Sequence, residues 1–368
     1  MDEIVCGRSA FRYWRCPPQV RELYPPLPWN EQGWHELKCA PFAEDILGLP
    51  LDVLRQKGGP HLSSQLRRSS FWSGGLDPGM TVATDMGFSV TSPLVTLFTL
   101  ARTLEFWDLV MAMYELCGTF SVFEVPAPIR EEMTRRLTDE RDDNTGNLGR
   151  RFDEDDFDSE HWACVFAKKG SRAGRPTSLW RRPPLVEIDA LRRFARQMEQ
   201  ARWGRKFSDA ACLVFGIAAS PLEVQGTLLL GAPRWRGGSG LDGLSLNEWT
   251  PLSAAARKLC SKRTCYGDIV IANPDTLQAV IVECQGEMMH GSGSIQTSDS
   301  ERAVALQSMG YAVILVSHDM FHDPAQFEII EQMVYDALGF KWLCKTERER
   351  AAASELRRAI FCNWANLA

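Results

Sequence analysis

The stretch that most constrains this chain runs from Gly267 to Gln285. Gly267-Asp268-Ile269-Val270-Ile271-Ala272 and Leu277 through Val282 are β-rich runs, and Asn273-Pro274-Asp275-Thr276 between them is a turn signal, so the segment reads as a hairpin. If Ala272 pairs with Leu277, Asp268 stands opposite Ile281, and Glu283 is the next residue along Ile281's face. Asp268 and Glu283 are then diagonal neighbours, about 7–8 Å apart at their backbones. Gln285 continues the row. Two carboxylates at the end of an apolar hairpin repel each other, and a divalent cation relieves that repulsion.

The rest of the chain sets the frame. At 368 residues with 45% hydrophobic content, it is long enough for two domains with cores of their own. No N-terminal stretch joins basic residues, an apolar core and a cleavage site, and no apolar run reaches the roughly 18 residues of a membrane span. A cytoplasmic protein without a membrane segment is expected. The 11 cysteines are scattered singly with no CxxC pair, which suits a reducing compartment and buried thiols better than disulfides or zinc. A net charge of −6 argues against a uniformly basic nucleic-acid coat, but it conceals local clusters.

Residues 1–80 are rich in Pro, Gly and Trp and are read as irregular. The aromatic and basic segment from Ser9 to Arg15 fits nucleic-acid stacking or, more commonly, core packing. Val82–Thr84 and Phe88–Val90 are short strand candidates. Ser92-Pro93 opens a helix whose Leu94, Leu97, Phe98 and Ala101 recur at helical spacing, and a second helix spans 105–117, closed by Gly118. Residues 1–127 therefore form a smaller α+β domain. From 128 to 184 the chain alternates acidic and basic runs with Gly and Pro, the pattern of a charged linker, and its basic residues are read as a solvated face or a phosphate-facing one.

The C-terminal part follows an α/β order. Helices are expected from Ile188 to Gly204 and from Ser220 to about Leu230, the second opened by a capping box of Ser220 and Glu223. Strands around Leu244–Trp249, Asp268–Ala272 and Leu277–Val282 follow. A helix from Ser300 to Met309, a buried strand from Tyr311 to Val316 and a helix from Pro324 to Leu338 complete the order α-β-β-β-α-β-α over 185–340. A terminal helix in 341–368 packs through Leu356, Ile360 and Phe361. His318 and His322 have the i, i+4 spacing of a helical metal pair, but Pro324 and the flanking Asp residues favour a loop with surface histidines.

This order, with an acid opening the second strand and Glu-x-Gln closing the third, resembles the PD-(D/E)xK restriction-endonuclease-like superfamily. Ala219 through Glu223, Gly267-Asp268-Ile269, Val282-Glu283-Cys284-Gln285-Gly286, His290 and Glu301-Arg302 with Gly310 through Ile314 resemble its very-short-patch-repair (Vsr)-like branch over 205–340. Ser92 through Gly118 resembles an AbiEi-type antitoxin region. The resemblance implies a restriction-endonuclease-like core, Mg²⁺ or Mn²⁺ held by Asp268, Glu283 and Glu223, and a DNA phosphodiester substrate, with RNA left open. Glu223 is equally explained by the capping box. His290 matches a histidine that assists the chemistry or contacts phosphate. Gln285 replaces the family's Lys; an amide orients water but brings no positive charge. Two functions therefore stand: a metal-dependent DNA endonuclease, and a non-catalytic nuclease-fold DNA-binding protein of a toxin–antitoxin-like or phage-defence system.

Overall fold

The computed structural model describes residues 3–29, 37, 39–55, 64–72, 75–146, 162–167, 173–260, 264–276, 278–285 and 301–367. Three sheets and the helices around them make a mixed α/β protein. The first sheet has strand order β3-β2-β1-β5-β4, with β1 at Ile4–Val5, β2 at Leu51–Arg55, β3 at Arg67–Phe71, β4 at Thr81–Ala83 and β5 at Ser89–Thr91. The region read as irregular thus contributes three strands and helix α1 (Gly7–Arg15). Its aromatic segment is core: Phe11 and Tyr13 are buried, and Trp14 Nε1 donates to the Thr91 carbonyl at 3.0 Å.

Helices α2 (Pro93–Leu100) and α3 (Phe106–Cys117) form where the apolar spacing places them. Gly118 ends α3, but not through a left-handed cap. Its φ is −84°, and a Cβ there would meet the Ala218 carbonyl oxygen at 2.6 Å, so close backbone approach requires the glycine.

The segment 128–184 is not a linker. It carries α4 (Arg130–Gly146), β7 (Ala163–Phe166) and β8 (Pro176–Arg181), and β8 sits between β7 and β6 (Phe120–Val122) in a second sheet. The charges that suggested a linker belong to a helix surface: Arg136 pairs with Glu132 at 2.8 Å one turn away, while Met133 and Leu137 are buried. The acidic and basic runs at 153–156 and 168–172 lie outside the described residues.

One core crosses the boundary between the two expected domains, while the first sheet keeps a second core around Val5, Val53, Val90 and Leu137. A single apolar cluster joins Phe11, α2 and α3 to α5 (Ile188–Met198), α6 (Gly204–Ala211), the third sheet and the C-terminal Trp364 and Leu367. A polar clasp reinforces it. Arg15 Nε donates to Glu115 Oε1 at 2.8 Å, its Nη2 donates to the Trp364 carbonyl at 2.6 Å, and buried Arg182 donates to the Glu115 carbonyl.

The third sheet carries the stretch that opened the sequence reading. Helix α7 (Pro221–Gly231) precedes β9 (Leu244–Pro251), β10 (Thr264–Ala272) and β11 (Ala279–Gln285). Helix α8 at 301–307, β12 (Ala312–Ser317), α9 (His318–His322) and α10 (Pro324–Ala337) follow. Strand order is β12-β11-β10-β9, antiparallel except for the parallel β11–β12 pair. The α-β-β-β-α-β-α order is therefore present, with α9 as an added turn. Terminal helix α11 (Glu347–Ile360) is opened by a complete capping box of Thr346 and Glu349 and buries Leu356 and Ile360.

Candidate functional site

The β10–β11 hairpin forms with a register shifted by two residues from the expected one. Ala272 pairs with Ala279, Val270 with Ile281 and Ile269 with Val282. The turn is longer because Asn273 organises it: its Oδ1 accepts the Asp275 N–H at 2.9 Å, its N–H donates to the Gln278 carbonyl at 2.8 Å, and its Nδ2 donates to the Leu338 carbonyl at 2.7 Å. Continuing this register puts Asp268 directly opposite Glu283 rather than diagonal to it.

A shift of two preserves the faces of a regular ladder, but this ladder is not regular at Asp268. Val270 and Ile281 pack with Ala305 and Leu306 on one side of the sheet, whereas Ile269, Ile271, Val280 and Val282 join the main core on the other. Cys265 lies with Val270 although their offset along the strand is odd, and a Cβ on Gly267 would meet Val270 Cγ2 at 2.7 Å and Ile281 Cγ2 at 3.1 Å. The alternation therefore changes phase between Gly267 and Ile269. Asn247, between Leu246 and Glu248 on the neighbouring strand, has a left-handed φ of 50° at the same level. Asp268 sits at this break. Its Oδ2 accepts the Cys284 N–H at 2.7 Å, a side-chain bond beyond the last backbone-paired residues of the hairpin.

Glu223 faces this break from α7. The Ser220 side chain accepts the Glu223 N–H at 3.3 Å, as a cap does, but the return bond reaches one residue further back, from the Ala219 N–H to Glu223 Oε2 at 2.7 Å. Ser220 Oγ donates to Oε1 at 2.8 Å and Asn247 Nδ2 donates to Oε2 at 2.7 Å. Despite these three donors, burial and then the charge of Asp268 raise the Glu223 carboxyl well above the usual carboxylate range. Asp268 and Glu223 are therefore an interacting acid pair. In its ionised form Glu223 offers about four lone-pair sites, so three donors leave it room for one more partner.

Glu283 takes a different part from the one expected. Its side chain is buried and turned to α8, where Arg302 Nη2 lies 2.5 Å from Oε2. The expected three-carboxylate shell is thus divided: Asp268 and Glu223 act on each other, while a guanidinium holds Glu283. Among the described residues no group of three or more His, Cys, Asp or Glu side chains is placed to hold a metal ion. The half-buried Cys284 thiol lies among all three acids. Burial and then the charges of Asp268, Glu223 and Glu283 raise its pKa well above the ordinary thiol value, so it remains neutral.

Gln285 ends β11, half-buried and paired in register with Ser317. His290 and the glycine-serine run after it lie outside the described residues. His318 and His322 stand on a helical turn, not a loop. Ser317 caps that turn, Asp323 ends it and caps the next helix, and the two imidazoles lie parallel at 5.9 Å with Phe361 edge-on to both.

Sequence reasoning missed Asn247 and the charge role of Arg302. Asn247 sits at an irregular strand position with no pattern to mark it. Arg302 is visible as a cation in α8, but only the packing of α8 on β11 brings it to Glu283.

All 11 cysteines are free, and no helix among the described residues is long and apolar enough to cross a membrane. Comparison of the chain with protein-family models, with curated proteins and with solved structures finds no match.

Proposed function

We propose that this chain is a Mg²⁺- or Mn²⁺-dependent endonuclease that hydrolyses phosphodiester bonds in DNA, built on a restriction-endonuclease-like core. The observation that carries the reading is the acid pair of Asp268 and Glu223 at the point where β10 loses its pairing with β11. Mg²⁺ needs only one or two carboxylates from the protein when substrate phosphates and water complete its shell, so this pair fits the ion without Glu283. The bound cation supplies Lewis-acid stabilisation of the phosphate and an activated water. Asp268 is fixed for that role by the Cys284 N–H, and Glu223 by Asn247 and Ala219.

The test is cleavage of supercoiled plasmid and of single-stranded DNA in Mg²⁺ or Mn²⁺. Activity that disappears in Asp268→Ala supports the reading, and activity that survives this substitution overturns it.

One observation favours a second reading, a nuclease-fold protein that binds and regulates without cutting. Glu283 is already neutralised by Arg302, and its companion Gln285 is uncharged. DNA binding that weakens with salt, without cleavage and without metal uptake, distinguishes this case.

A further inference from the structure

His318 and His322 take no part in the acid pair, yet the fold builds them into one unit. They open and close the single turn of α9 at positions i and i+4, the spacing that sets two side chains one above the other. The turn is held at both ends. Ser317 Oγ accepts the Met320 N–H at 3.4 Å, the Asp323 N–H donates to the Asp319 carbonyl at 2.8 Å, and Arg357 donates to the Phe321 carbonyl.

The two imidazoles lie parallel with centroids 5.9 Å apart, and Phe361 stands edge-on to them at 5.4 and 5.1 Å. Two imidazoles on one tetrahedral cation, at about 2.1 Å per nitrogen, have centroids about 5 Å apart. The observed separation is close to that, and the soft χ2 torsion of each ring turns a nitrogen toward a shared ion. His322 is exposed and His318 half-buried, so the pair is open to solvent.

Asp319 decides which nitrogen of His318 is offered. Its Oδ1 lies 3.3 Å from His318 Nδ1. An ionised carboxylate only accepts, so Nδ1 carries the proton and Nε2 keeps its lone pair. A carboxylate behind an imidazole is the arrangement that orients metal-bound histidines and raises their basicity.

The donor set selects the ion. Neutral imidazoles suit Zn²⁺, Ni²⁺ and Cu²⁺, whereas Mg²⁺ and Mn²⁺ favour oxygens such as those of Asp268 and Glu223. Among the described residues no third His, Cys, Asp or Glu side chain completes a ligand group, so water or an anion fills the remaining positions. Ser317, just before His318, is in register with Gln285, which places the pair at the end of β12 beside the end of β11.

We propose that His318 and His322 chelate a divalent transition-metal ion of the Zn²⁺, Ni²⁺ and Cu²⁺ class in an open site of their own, separate from the Asp268–Glu223 pair. The site is independent of the nuclease reading.

The probe is Ni²⁺, titrated calorimetrically into the full chain without an affinity tag, with exposed thiols alkylated and Mg²⁺ in excess. Sulfur and the acid pair are thereby kept out of the measurement. The wild type binds a Ni²⁺ that His318→Ala and His322→Ala each weaken about a hundredfold, as loss of the linked second ligand implies. The double variant loses no more than either single one, because one imidazole no longer chelates. Asp319→Ala leaves both rings and weakens the site about tenfold. Asp268→Asn retains it. Circular dichroism of every variant in EDTA matches the wild type, which separates lost ligands from lost structure. A wild type that takes up no Ni²⁺, uptake unchanged in either histidine variant, or loss in Asp268→Asn overturns the site. DNA cleavage without Ni²⁺ uptake removes this site alone, and uptake at the histidines without cleavage leaves it standing.

Discussion

Arg302 Nη2 stands 2.5 Å from Glu283 Oε2, joining α8 to the end of β11 through a buried carboxylate. Truncating the guanidinium removes a charge-assisted bond to that carboxylate in a low-dielectric setting. Arg302→Ala is expected to lower stability by about 2 kcal/mol, measured by urea unfolding, whereas Arg302→Lys loses less because a cation remains. An unchanged midpoint in Arg302→Ala argues that the pair is only incidental.

The Arg15–Glu115 pair is more deeply placed, with both side chains almost wholly buried. Glu115 Oε1 also accepts the Ser121 hydroxyl at 3.1 Å and the Val122 N–H at 2.9 Å. Glu115→Ala strands the Arg15 charge and several donors at once, and its expected cost is about 3–5 kcal/mol. Because the clasp and the shared core tie Arg15 and Phe11 to Trp364, unfolding is expected as one transition, with fluorescence and circular dichroism curves coinciding. Two separated transitions contradict a common core.

Glu349 provides the clearest pH dependence. The Arg234 side chain, and then the Thr346 N–H, lower its carboxyl to about 2. A depressed carboxylate contributes stability that is fully present above its unfolded value, near 4.5, and is lost as pH falls through about 2. The thermal midpoint of the wild type is therefore expected to fall more steeply than that of Glu349→Gln between those limits. Parallel curves exclude the contribution.

The cysteines divide by burial. Cys39, Cys212 and Cys344 are exposed, whereas burial raises the thiol pKa of Cys6 and Cys16 and pushes Cys117 up to about 12. Iodoacetamide labelling at neutral pH, mapped by mass spectrometry, is expected to modify Cys39, Cys212 and Cys344 first and to reach Cys6, Cys16 and Cys117 only after unfolding.

These elements also show what could be read from the sequence. Apolar periodicity and caps place α2, α3, α7 and α10, the start of α11 and the strands β9 to β12 within a few residues, because those signals are local; α11 ends at Ile360, short of the expected 368. The register of β10–β11 was not local. It depends on Asn273 reaching the Leu338 carbonyl, a contact across 65 residues. The change of phase at Asp268 was hidden for a similar reason: alternation is legible only where a strand is regular, and the irregular position is the one that matters here. The misreading of 128–184 came from treating charge as a loop signal when Met133 and Leu137 already marked a buried helical face. Of the acids, the hairpin put Asp268 with Glu283 and only the resemblance brought Glu223 to them, while packing alone shows that Glu283 turns to Arg302.

The pairing of Asp268 with Glu223 as cation ligands is tested most directly by Mn²⁺ calorimetry on wild type, Asp268→Asn, Glu223→Gln and Glu283→Gln. The expected result is one Mn²⁺ bound by the wild type, its loss in Asp268→Asn and Glu223→Gln, and its retention in Glu283→Gln. A wild-type chain that takes up no Mn²⁺, or an Asp268→Asn variant that binds it as tightly, contradicts the assignment.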